Sequence, residues 1–72
     1  MALTMGEKIK VILNRRSMTI SDLADSLGQS RQNMTNKLSR DNFSERELKD
    51  IAVRLNCQFE GVFRLNDTNE TI

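Results

Sequence analysis

Leu23-Ala24-Asp25-Ser26-Leu27-Gly28-Gln29-Ser30-Arg31-Gln32-Asn33-Met34-Thr35-Asn36-Lys37-Leu38 is the stretch on which the fold turns. Leu23, Ala24 and Leu27 repeat at helical spacing, and so do Met34 and Leu38. Gly28 between them can take the left-handed backbone that ends a helix sharply. Ser30 is a helix N-cap residue. The stretch therefore predicts two short helices with only Gly28-Gln29 between them. Such helices must cross steeply, and the small Ala24 lets the second approach the first. That is the plan of a helix-turn-helix, whose second helix enters the DNA major groove.

On either side, the helix signals continue. Thr4-Met5-Gly6-Glu7 is a capping box, followed by Met5, Ile9, Ile12 and Leu13 on one face, which predicts a helix over about residues 5–16. Arg15 and Arg16 stand at its end, where cations complement the helix dipole. Thr19 caps the second helix, with Asp22 near the reciprocal position. Ser44-Glu45-Arg46-Glu47 opens a fourth helix whose stripe is Leu48, Ile51, Ala52 and Leu55, with Asn56 as its cap and Phe43 filling the core beneath it. The fold class expected is mainly α: a compact four-helix domain over residues 1–56 with the helix-turn-helix at its centre.

Beyond the helices the period changes. Along Cys57-Gln58-Phe59-Glu60-Gly61-Val62-Phe63-Arg64-Leu65, residues 57, 59, 63 and 65 share one side and 58, 60, 62 and 64 the other. The alternation predicts a C-terminal β-strand over 57–65. No second strand is evident, and a lone strand leaves its backbone groups unpaired. The favoured remedy is pairing with the same strand of a second copy in a symmetric homodimer, through Phe59, Val62, Phe63 and Leu65. The other is an extended arm packed on the chain's own helices. Residues 66–72 are polar and expected to form a flexible, frayed tail.

Composition narrows the function classes. Seventy-two residues make one domain with a marginal core. There is no histidine, and one cysteine, Cys57, so an internal disulfide, His-based zinc sites and His-based acid–base chemistry are excluded. No glycine-rich phosphate loop and no metal-ligand cluster appear, so neither an enzyme nor a cofactor is expected. A single cysteine, expected as a reduced buried thiol, suits a reducing cytoplasm. No apolar run approaches the ~20 residues of a membrane span, and MALTMGEKIK lacks a signal-peptide core. Net charge is +1, but unevenly spread. Residues 1–44 carry seven Lys/Arg against four Asp/Glu, and residues 45–72 carry four against six. Gly28–Arg40 contains three basic residues and no acid.

The third helix is where that bias acts. Arg31, Gln32 and Asn33 lie at its N-terminal end, from which side chains reach base edges, and Asn36 follows one turn later. Arg can bond guanine O6 and N7 together, and Gln or Asn can do the same with adenine N6 and N7. Gln29, Ser30, Thr35, Lys37, Ser39 and Arg40 are expected phosphate contacts, which position without reading sequence.

Leu23-Ala24-x-x-Leu27-Gly28-x-Ser30, followed by Met34 and Leu38, resembles the helix-turn-helix of phage repressors and Cro proteins, the XRE-like bacterial regulators. The resemblance covers about residues 5–56. It implies a compact helical domain, usually dimeric, that binds double-stranded operator DNA and regulates transcription. By position, Arg31, Gln32, Asn33 and Asn36 match the family's base-contacting residues. The chain departs from the pattern at Ile20, where the family often has a phosphate-touching glutamine. It also departs at Gln29, usually a buried valine, and across Asn36–Arg40, where Lys37 falls near an apolar position. The competing reading is a protein-interaction or antitoxin-like module that keeps the fold without binding DNA.

Overall fold

The computed structural model describes residues 3–72. Four helices follow in order: α1 (Met5–Arg15), α2 (Ile20–Ser26), α3 (Arg31–Arg40) and α4 (Glu45–Arg54). Each starts where its cap residue dictates. The hydroxyls of Thr4, Thr19, Ser30 and Ser44 accept from the backbone N–H three residues on. In α1, α2 and α4 the box closes, because Glu7, Asp22 and Glu47 accept in return from the cap's own N–H.

The ends are equally local. Gly28 takes φ 70°, Gly28 N–H donates to Asp25 O, and Gln29 N–H donates to Ala24 O at 2.9 Å. This is a Schellman ending. It recurs at Ser17 after α1 and at Asn56 after α4, where non-glycine residues hold φ of 55° and 56°. The inter-helix turns are thus set by backbone hydrogen bonds rather than by long loops.

The helices close over one core. Leu23 and Ala24 of α2 are fully buried, with Met34 and Leu38 of α3, Ile9 and Leu13 of α1, and Ile51 and Leu55 around them. Each large aliphatic side chain withdrawn from water contributes about 1.5–3 kcal/mol. Phe43 and Leu48 pack half-buried against this cluster, as expected.

Two contacts fix α3 from outside the core. Gly6 of α1 lies flat on the Leu38 carbonyl, so close that a Cβ at Gly6 would overlap that oxygen. Gly6 N–H also donates to Asp41 Oδ1 at 2.7 Å, and Asp41 holds the left-handed residue that ends α3. The N-terminal turn of α1 therefore clamps the C-terminal end of α3. Arg16 is the C-cap of α1, and its side chain reaches beyond its own helix. Its Nε donates to Leu55 O at 3.1 Å and its Nη2 to Asn56 O at 3.2 Å, so it caps α4 across the fold.

The C-terminal segment corrects the sequence reading. No strand spans 57–65. Cys57 and Phe59 lie half-buried against α1 and α4, lining an apolar groove with Met5, Ile9, Ile12 and Leu48. Cys57 is half-buried rather than buried, its thiol donating to Leu55 O at 3.3 Å. Beyond it the chain makes a hairpin with itself. Phe63 N–H donates to Ile72 O at 3.0 Å, Ile72 N–H to Phe63 O at 2.8 Å, and Leu65 N–H to Glu70 O at 2.8 Å. Arg64 and Thr71 form its antiparallel bridge.

The tail expected to fray supplies the missing partner. Asn66-Asp67-Thr68-Asn69 is turn chemistry, and Asn69 takes φ 64° while donating its N–H to Leu65 O. Residues 63–65 thus have a partner within the chain, and for them no second copy is needed to pair the backbone. Of the residues expected to pair two copies, Phe59 is half-buried on its own domain. Val62 and Phe63 are 65% and 80% exposed, and Leu65 is 37% exposed. No described helix is long and apolar enough to cross a membrane.

Candidate nucleic-acid interface

The core fixes which side of α3 faces outward. With Met34 and Leu38 buried, helical spacing turns Gln32, Asn36 and Ser39 directly away from the core, flanked by Asn33, Thr35 and Arg40. All six are exposed, as are Ser30 and Arg31 at the start of the helix. Arg31, Gln32, Asn36 and Arg40 make no side-chain hydrogen bond or ion pair among the described residues. Their donors and acceptors face solvent. The surface is a helix face of exposed hydrogen-bonding groups.

Electrostatics sets this helix apart from the other three. Glu7, Asp22 and Glu47 place an acid in the first turns of α1, α2 and α4, and α3 has none. An acid there would neutralise the partial positive charge of the helix N-terminus. Position 33 is Asn, so Ser30 Oγ still accepts from Asn33 N–H at 3.1 Å, but no carboxylate returns to Ser30. The start of α3 thus keeps its cap and its positive end together. Lys37 and Arg40 add positive charge in the last turn.

Two of the expected phosphate contacts face elsewhere. Lys37 is half-buried, and its ammonium pairs with Glu47 Oε2 of α4. That bond, with smaller help from Ser44, holds the Glu47 carboxyl below the ordinary glutamate range. Lys37 thereby occupies a position with the spacing of an apolar residue: its stem packs and its charge ties α3 to α4. Gln29 is also half-buried, beside Leu27, Met34 and Ile51, and its Oε1 accepts from Asn33 Nδ2 at 3.2 Å. The Lys37 link depends on how α3 docks on α4, whereas Gln29 and Asn33 stand at the local i, i+4 spacing.

On one flank, α3 forms a polar groove with the following loop. Asn33, Asn36 and Arg40 line it together with Asn42, Phe43 and Ser44. Asn42 and Ser44 extend the polar surface beyond the residues picked out by sequence. A loop residue gives no helical-face signal, so Asn42 was invisible to periodicity.

A family model for the Cro/C1-type helix-turn-helix DNA-binding domain matches residues 8–68. No curated protein and no solved structure matches the chain.

Proposed function

The chain belongs to the Cro/C1-type helix-turn-helix DNA-binding family, and from that premise we propose that it is a sequence-specific transcriptional regulator of the cytoplasm which inserts α3 into the major groove of a pseudo-palindromic operator. The observation that carries this reading is α3 itself. It is the one helix of the four without an acid in its first turn, and it presents an exposed face on which Gln32, Asn36 and Arg40 make no side-chain hydrogen bond among the described residues.

In this reading Arg31, Gln32, Asn33 and Asn36 contact bases. Ser30, Thr35, Ser39 and Arg40 contact phosphates on the groove walls. Lys37 is drawn toward Glu47, and Gln29, whose oxygen holds Asn33, has its Nε2 N–H groups left to donate. The regulator acts as a homodimer, with Val62, Phe63 and Leu65 as the exposed apolar surface that a second copy covers and Phe59 supporting the hairpin from beneath. A pair of recognition helices would then sit about one DNA turn apart, ~34 Å.

The test is equilibrium binding to a selected duplex across a salt series. Gln32→Ala should cost roughly 1–3 kcal/mol at one base position and relax preference there. Arg40→Ala should weaken all duplexes alike and reduce the salt slope by about one. If both variants behave the same way, the division into base and phosphate contacts is wrong. The exposed hairpin keeps a second reading in view, a protein-interaction module. It predicts association that is indifferent to salt and no duplex binding.

A further inference from the structure

Asn33 is held at two points. Its backbone N–H donates to Ser30 Oγ, and its side-chain Nδ2 donates to Gln29 Oε1 at 3.2 Å. Gln29 is in turn among the better anchored residues of the interface. Its N–H closes the Schellman turn onto Ala24 O, and its stem is half-buried between α3 and α4 beside Leu27, Met34 and Ile51. The tether runs from the inter-helix turn to a carboxamide on the exposed flank of the recognition helix.

We infer that Gln29 is a positioning residue for base recognition: its side-chain oxygen holds the Asn33 carboxamide in the sense that matches adenine, making Asn33 an adenine reader. This rests on the DNA-binding reading above.

The chemistry is set by the planar amide. Asn33 Nδ2 carries two N–H groups, one beside Oδ1 and one pointing away from it. Adenine in the major groove takes the first together with Oδ1, as an acceptor at N7 and a donor at N6. The second N–H is surplus to that pair, and it is the one Gln29 can occupy while adenine is bound. Reversing the Asn33 amide alone would set Oδ1 against Gln29 Oε1, acceptor against acceptor, and only a matching turn of the Gln29 amide would relieve it, an escape that Gln29→Glu removes. An untethered exposed asparagine presents either sense and must be ordered on binding. Tethered, it meets the groove already oriented.

Two substitutions separate this from a phosphate contact or a packing role. Gln29→Met keeps length and suits the apolar neighbours but removes the acceptor. Gln29→Glu keeps an oxygen that can only accept, at the cost of a negative charge near DNA. Wild type, both variants and Asn33→Ala are each used to select duplexes from a random pool at low salt. Dissociation constants are then measured on the selected duplex and on versions with each adenine replaced by guanine.

The expected result is an adenine column that Asn33→Ala identifies. Its replacement should cost wild type about tenfold or more. Gln29→Met should flatten that column and leave the others. Gln29→Glu should keep the column while binding every duplex more weakly. The inference is overturned if Gln29→Met leaves all columns intact or weakens all equally, or if Gln29→Glu loses the column as fully as Gln29→Met. Enrichment of no sequence by folded wild type would instead overturn the DNA-binding reading, and this inference with it.

Discussion

Asn33 stands where stability and binding ask for different residues. The third position of each other helix is an acid that closes a capping box, Glu7, Asp22 or Glu47. Asn33→Glu would complete the box with Ser30 and complement the helix dipole, a gain of about 0.5–1 kcal/mol. The same carboxylate would face DNA phosphates. Asn33→Glu is therefore expected to raise the urea midpoint and lower duplex affinity at least about tenfold, most at low salt. A variant that binds duplex as wild type does would place the start of α3 outside the interface. Gly6 is constrained from the opposite side. With no room for a Cβ against Leu38 O, Gly6→Ala must push α1 off α3. Overpacking of this kind costs about 1–3 kcal/mol, to be read from denaturant unfolding. Stability equal to wild type would mean that α1 does not clamp the recognition helix.

Among the elements, α3 depends on its neighbours more than on itself. Its own apolar seam is Met34 and Leu38, and the rest of its anchoring comes from Gly6, Asp41 and Glu47. The Lys37–Glu47 bond makes that anchoring sensitive to acid. The folded-state pKa of Glu47 is depressed, so its contribution is fully present above the ordinary glutamate value near 4.5 and is lost as pH falls through the lower folded value. Glu47→Gln should flatten the stability–pH profile in that acid window and leave the profile near neutrality parallel to wild type. An unchanged acid limb would show that the pair contributes nothing to stability.

The four helices were legible in the sequence because their determinants are local. Thr4, Thr19, Ser30 and Ser44 are caps, and the apolar stripes give the inward faces. The outward face of α3 follows from Met34 and Leu38 by geometry alone. What the sequence could not show lies between elements. Arg16 reaching α4 and Lys37 reaching Glu47 are long side chains whose partners are chosen by packing. The C-terminal reading failed for a related reason. Alternation along 57–65 marks an extended chain, but Glu70-Thr71-Ile72 is too short and polar to announce itself as the segment that pairs with residues 63–65.

Taken entire, the molecule is electrically divided. The basic excess lies in residues 1–44, which include the recognition helix, and the acidic excess lies beyond α4, where Glu60, Asp67 and Glu70 stand against Arg64 alone. A net charge of +1 therefore understates the basic excess of the part of the chain that carries the recognition helix. The exposed Val62, Phe63 and Ile72 lie in the acidic half of the sequence.

Selection of bound duplexes from a random pool, by wild type and by a variant with Arg31, Gln32 and Asn36 all changed to alanine, decides whether α3 reads sequence. The expected result is an inverted-repeat consensus with half-sites about one helical turn apart, lost in the variant while it stays folded. No enrichment by folded wild type at low salt, or a consensus unchanged in the variant, would contradict it.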